Sequence, residues 1–159
     1  GLNNGTAEDK GNTRRIETPT EFNVGGAIVL GRPNEADTFR SKIDSGFDFF
    51  ITQITYDPQE VIDFIATVGD AIHPPIQVGL APVASARRFK TISRMPGINI
   101  SEATKRRLCD SDDFESAMVS ELSELADVLK EEVDYPIGFH IMSIGSDELG
   151  CRLVKELQK

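Results

Sequence analysis

The stretch Lys42-Ile43-Asp44-Ser45-Gly46-Phe47-Asp48-Phe49-Phe50-Ile51-Thr52-Gln53-Ile54-Thr55-Tyr56-Asp57 decides the reading of this chain. It joins a helix end, a glycine stop, an apolar run and a new helix start within sixteen residues. The run Asp48 to Gln53 is aromatic and β-branched, as a buried strand requires, and it ends on two polar residues, Thr52 and Gln53. After it, Asp57-Pro58-Gln59-Glu60 predicts a helix: Asp57 caps, Pro58 takes the first helical position, and Glu60 reaches back to the cap amide. Val61, Ile62, Phe64, Ile65 and Val68 then supply its buried face.

The same alternation extends in both directions. Upstream, the uninterrupted apolar run Gly25 to Gly31 reads as a strand buried on both faces of a parallel sheet. A helix follows from Asn34, as N-cap, to Ser45, with Gly46 as its stop. Downstream, Ile76 to Pro82 is a third strand, followed by a helix over Ser85–Ser93. Ile98-Asn99-Ile100 is a run at the short limit of a strand, and Ser101 caps a helix reaching Leu108. The spacing of Met118, Leu122, Leu125, Leu129 and Val133 predicts a long helix over Asp113–Glu132. Pro136 to Ile144 is the last strand, and Ser146 to Gln158 the last helix. Residues 1–21 carry few large aliphatics and read as a flexible arm or loop, leaving 22–159 as one βα-repeat domain. Such repeats form either half of an eight-fold barrel or a small open parallel sheet. In both, ligands sit at the C-terminal ends of the strands.

The bulk properties narrow the function. With 159 residues, 39% hydrophobic and 27% charged, the chain is a globular domain. A net charge of −9 would repel phosphate backbones and no Lys/Arg stripe stands out, which argues against nucleic acid as a partner. No apolar run is long enough to span a bilayer and no secretory signal is visible, so no membrane partner and a cytoplasmic location are expected. Cys109 and Cys151 lie apart and read as reduced thiols, without a metal site. Neither G-x-G-x-x-G nor G-x-x-x-x-G-K-S/T occurs, and no nucleophile, base and acid can be assembled from His73, His140 and their neighbours.

The strand ends hold the candidate site residues. The amide of Gln53 donates and accepts together, which suits the edge of a heterocycle such as a pterin or flavin. Thr52 and Tyr56 flank it. Arg32 follows the first strand and can pair with a phosphate or carboxylate, and Lys42 is expected to lean toward the rim. Arg87 and Arg88 offer an anion contact. His140, amid apolar neighbours, reads as a buried neutral histidine with a backbone partner.

The 42–57 segment resembles the K-x-D-A-G-A-x-x-x-I-T-Q-x-x-x-D signature of methylenetetrahydrofolate reductases. Gly79-Leu80-Ala81-Pro82-Val83 is similar to that family's P-G-I-x-P-I/V strand end, Pro96-Gly97-Ile98-Asn99-Ile100 to its P-G-V-x-I-P segment, and Phe139-His140 to its final F-H strand. The resemblance implies a TIM-barrel-like fold, of which this chain supplies about half to two-thirds. It implies reduction of a methylene-pterin of the folate type to the methyl form, an oxidoreductase role in one-carbon metabolism. Gln53 would then contact the pterin and Lys42 the flavin, with FAD and NADH or another NAD(P)H as implied cofactors; the strand-end reading adds Thr52 and Tyr56 beside the substrate and Arg32 beside the cofactor. The chain departs from the pattern at Phe47, which replaces a small alanine, at Ile28 to Pro33, which replace a Y-P-E-x-H-P flavin segment, at Ala86 and at Met142. These departures resemble divergent, flavin-independent members. The family's R-G-D aspartate and N-terminal glutamate fall on strands upstream of this chain. The alternative is therefore a non-catalytic pterin-binding or partner subunit. A homo-oligomer or a second chain is expected to complete the barrel and cover its sheet edge.

Overall fold

Two glycines and two phenylalanines set the first strand pair. In the computed structural model, which describes residues 2–69 and 74–159, β3 (Gly25–Ile28) runs parallel to β4 (Phe49–Ile54), with Gly25 opposite Phe49 and Gly26 opposite Phe50. A Cβ on Gly25 would fall 2.4 Å from the Phe49 ring, and one on Gly26 2.6 Å from the Phe50 ring and 2.9 Å from Phe47. The glycine pair thus makes room for aromatic rings on the two opposite faces of the sheet. Phe47 stacks on Phe50, with centroids 6.0 Å apart, at the N-terminal end of β4. Its replacement of a small residue is therefore a packing feature at the foot of the strand, remote from the strand tips.

The sheet order is β3-β4-β5-β6, all parallel, with β5 at Ile76–Leu80 and β6 at Ile137–Ile141. Consecutive order decides between the two architectures left open by the sequence. A doubly wound sheet reverses direction at a switch point, whereas this sheet steps one way throughout, as a barrel wall does. The crossovers are α1 (Glu35–Asp44), α2 (Pro58–Val68), then α3 (Ala86–Ile92), α4 (Glu102–Cys109) and α5 (Phe114–Glu132), and α6 (Asp147–Leu157) follows β6.

One face of the sheet meets this helical layer and forms the core. Ile28, Phe50, Ile76, Val78 and Leu80 are buried there with Phe39 of α1, Phe64 of α2 and Met118, Leu122 and Leu129 of α5. Phe39 lies 4.5 Å from Phe50 and 5.5 Å from Phe64, edge-on to the latter, an arrangement that adds to the area buried. The opposite face is left open: along β3 exposed and buried residues alternate, and every residue of β6 is only partly buried. This corrects the expectation that Gly25–Gly31 is covered on both sides. His140 pairs with Gly79 on that open face and is half-exposed rather than buried.

Several helix ends follow the expected chemistry. Asp57, Ser85, Ser101, Asp113 and Ser146 each cap a helix through the side chain. Two details differ. Asn34 precedes α1 in the left-handed region, φ 60°, without a side-chain cap bond. Glu60 does not complete a capping box, because the Asp57 amide is taken by Thr55 Oγ1 at 3.0 Å. Ile98–Ile100 forms no strand; it alternates buried Ile98 and Ile100 with exposed Asn99 beneath the rim. Residues 6–15, read as part of a loop or arm, fold into a hairpin, β1 (Thr6–Asp9) and β2 (Asn12–Arg15), whose Lys10-Gly11 turn has both φ values positive. His73 lies outside the described residues.

Phe50→Ala removes the ring at the centre of the aromatic cluster. We expect a loss of about 3–5 kcal/mol in urea denaturation, and a loss below about 1 kcal/mol would contradict this packing.

Candidate functional site at the strand tips

The tip of β4 is bulged. Ile51 pairs with Gln77, but the next pair is Ile54 with Gly79, so β4 carries one residue more than its neighbour across this step. The Thr52 side chain repairs the interrupted ladder. Its hydroxyl accepts the Gly79 N–H at 2.9 Å and donates to the Gln53 carbonyl at 2.8 Å, in a position only 3% exposed. Gly79 must be glycine here, since a Cβ would fall 2.8 Å from the Thr52 carbonyl and 2.7 Å from the Met142 methyl. Met142 therefore packs over the bulge.

The bulge delivers Gln53 to the rim. Its Nε2 donates to the Pro96 carbonyl at 3.1 Å, and a Cβ on Gly97 would fall 2.9 Å from its Oε1. Gly97, at φ +80°, supplies both the turn and the close approach. The turn is anchored by Asn99, whose Nδ2 donates to Glu60 Oε1 at 2.7 Å, while Thr55 Oγ1 lies 3.0 Å from Glu60 Oε2. Loop 96–99 thus bridges the tips of β3 and β4. Beside it lies a recess of about 410 Å³ lined by Val29, Leu30, Gly31, Arg32, Pro96, Gly97 and Asn99; Gln53 is not in this lining and contacts two of its residues, Pro96 and Gly97. Its size falls in the lower part of the range of small-molecule sites. Two larger depressions lie elsewhere: a polar groove of about 460 Å³ between α1 and α2, and an apolar one of about 520 Å³ along β6 and α6. The recess is preferred because it occupies the C-terminal strand ends and because Pro96 and Gly97, which line it, contact an amide able to donate and accept.

The other expected site residues are placed differently. Tyr56 is 3% exposed, its hydroxyl donates to the Ala81 carbonyl at 2.6 Å, and its ring meets Phe89 edge-on. Burial pushes its phenol far above the ordinary range, so it stays neutral. It is a core residue and does not line the recess. Thr52 spends its hydroxyl on the bulge. Arg32 pairs with Oε2 of Glu35, a carboxylate 3% exposed whose Oε1 accepts the Val29 N–H at 3.1 Å, so this arginine clamps the β3–α1 loop. Lys42 Nζ donates to the Ala27 carbonyl at 2.5 Å on edge strand β3, where a lysine blunts an unpaired edge. Lys42 does not line the recess. Glu35 and Asn99 were not singled out by sequence reasoning, and Glu60 was expected only to complete a capping box; the only hint was the position of Asn99 within the Pro96–Ile100 segment.

Among the described residues, no helix is long and apolar enough to cross a membrane and no cluster of three metal-ligating side chains occurs.

A singly wound βα sheet with a bulged strand tip and a ligand-sized recess at its C-terminal rim defines a partial barrel of the TIM type. The sequence model of methylenetetrahydrofolate reductases matches residues 33–158, and the chain belongs to that family. No similar sequence was found among curated proteins. Among similar solved structures is an uncharacterized protein from Clostridium thermocellum that binds two copies of 5-methyl-5,6,7,8-tetrahydrofolic acid. It is 23% identical, with a TM-score of 0.61 over 84% of this chain and 52% of that chain. The chain thus spans about half the length of that protein.

Thr52→Val keeps the shape and removes the acceptor of a buried N–H. It should cost about 1–3 kcal/mol in equilibrium unfolding, with Thr52→Ser retaining most of the stability. A valine variant within about 0.5 kcal/mol of the parent would show that the bulge does not depend on this hydroxyl.

Proposed function

We propose that the chain binds a reduced folate at the C-terminal rim, with Gln53 reading the donor and acceptor edge of the pterin, and that it serves in reducing a methylene-pterin to the methyl form. The observation carrying this reading is Gln53 itself, aimed by the bulge and held beside the recess by Pro96 and Gly97. Its amide keeps one N–H and a carbonyl oxygen beyond the Pro96 bond, the pair of groups that a pterin edge matches. Membership of the family and the methyltetrahydrofolate bound by the similar structure support the ligand class.

The catalytic part of the reading needs groups from outside these strand tips. The carboxylates at the ends of β3 and β4 are already engaged: Glu35 with Arg32 and the Val29 amide, Asp57 as a helix cap, Glu60 with Thr55 and Asn99. That observation favours a second reading, in which the chain is a non-catalytic pterin-binding subunit. Of the two residues expected to hold a flavin, Lys42 is bound to a strand edge, while Arg32 pairs with the buried Glu35 carboxylate and lines the recess. In either reading the open sheet face and the edges of β3 and β6 call for closure by a second half-barrel, from another segment or from a second copy of the chain.

Calorimetric titration with 5-methyltetrahydrofolate tests the binding claim. Saturable binding should weaken about tenfold or more in Gln53→Ala, while the fold is retained. Absence of binding, or equal affinity in the variant, would overturn it. Methylene-tetrahydrofolate-dependent NADH oxidation separates the catalytic from the non-catalytic reading.

A further inference from the structure

Two residues at the tip of β4 are tied to the same loop. Gln53 donates from Nε2 to the Pro96 carbonyl at 3.1 Å. Two positions further on, Thr55 Oγ1 lies 3.0 Å from Glu60 Oε2, and Glu60 Oε1 accepts from Asn99 Nδ2 at 2.7 Å. These contacts close a ring: from Gln53 across to Pro96, along the loop to Asn99, across to Glu60, and back through Thr55 to the strand. The base of the ring is fixed, because Thr55 is fully buried and its N–H donates to the Gly79 carbonyl at 3.0 Å. The Asp57 cap in turn places Glu60 in the first turn of α2.

A single hydrogen bond fixes a distance and leaves rotation about it free; a second bond fixes orientation. Ile98 and Ile100 are buried beneath the loop, but apolar contact is non-directional and does not aim the Pro96 carbonyl. The Glu60–Asn99 bond does. Gly31 lies against this pair, since a Cβ there would stand 3.5 Å from Asn99 Nδ2 and 3.7 Å from Glu60 Oε1. Asn99 lines the recess, Glu60 lines the α1–α2 groove, and Gly31 lines both, so the bond is part of the partition between them. Both groups facing the Glu60 carboxylate are neutral, and no ion pair among the described residues engages it. Arg32 faces the same groove but is paired with Glu35.

We propose that Glu60 and Asn99 are positioning residues for the ligand that Gln53 reads. Their hydrogen bond sets the direction of the Pro96 carbonyl, and through it the direction in which the Gln53 amide presents its remaining N–H and its oxygen. This rests on the folate reading above. A heterocycle edge pairs well only with an amide whose donor and acceptor lie near its plane, so an orientation error costs affinity while the fold stays in place. The pair also has a polarity, since the carboxylate accepts and the amide donates. Asn99→Asp sets two carboxylates against each other, whereas Glu60→Gln/Asn99→Asp exchanges the two groups and restores one donor facing one acceptor.

The test is a mutant cycle on the full chain: Asn99→Asp, Glu60→Gln and the double variant, with Gln158→Glu as a charge control at the end of α6. Each is titrated with 5-methyltetrahydrofolate, and the Gln53 side-chain amide resonance is recorded before ligand is added. Asn99→Asp should bind about fivefold or more weaker than the parent and shift the Gln53 resonance. Glu60→Gln and the double variant should stay within about twofold of the parent and keep its resonance, as should Gln158→Glu. Should Asn99→Asp fail to fold, Asn99→Ala removes the bond without adding charge, and the same loss and the same shift are expected of it. A double variant as weak as Asn99→Asp, or weakened binding with the Gln53 resonance unmoved, would overturn the positioning role while leaving the folate reading intact. Absence of binding by the parent would overturn the two together.

Discussion

The hydrogen bond from the Gly79 amide to the Thr52 hydroxyl is the constraint on which the rim depends. A parallel ladder pairs backbone with backbone, and a side chain can replace a carbonyl only where the strand bulges. Once Thr52 takes that place, Gln53 and Ile54 shift register against β5, and the Gln53 side chain arrives at the rim facing Pro96. The cost of the irregular pairing is offset locally, because Thr52 satisfies the buried N–H that the bulge would leave without an acceptor. Gly79 and Gly97 are the complementary vacancies, one below the bulge and one beside the amide. Arrangement and chemistry are linked here: the bulge that breaks the ladder is also what aims the residue able to read a heterocycle.

The βα order was legible because each strand and helix is punctuated locally. Asp57-Pro58, Ser101 and Gly46 state where helices begin and end without reference to the rest of the fold. The polar tip of β4 was legible for the same reason, and it led to Gln53. Pairwise geometry was not. Tyr56 reads as a rim residue because it follows the strand directly, but the bulge and the turn into α2 send its ring into the core beside Phe89. Lys42 and Arg32 read as free cations because a sequence does not show that Ala27 and Glu35 will lie within their reach. Glu60 is the reverse case: Thr55 takes over its expected capping task, which frees the carboxylate to anchor Asn99, 39 residues away in the chain but adjacent in space.

The open face of the sheet sets the remaining energetic problem. β3 and β6 each present an unpaired edge, and the face bearing Ala27, Ile51, Gln77 and His140 lacks the cover that the helices give the other side. A barrel wall of this kind gains its interior packing from the strands that close it. The similar solved structure is about twice the matched length. The carboxylates at the rim are engaged within the fold: Glu35 with Arg32, Asp57 as a helix cap, and Glu60 with Thr55 and Asn99.

The central claim is that a pterin docks on the Gln53 amide. Its most direct measurement is the side-chain amide resonance of Gln53 in the nitrogen-15-labelled protein during titration with 5-methyltetrahydrofolate. The account predicts that this resonance and the Gly97 backbone amide shift together and saturate at one ligand concentration. Saturable shifts confined to the α1–α2 groove or the β6–α6 edge, with Gln53 and Gly97 unmoved, would contradict it.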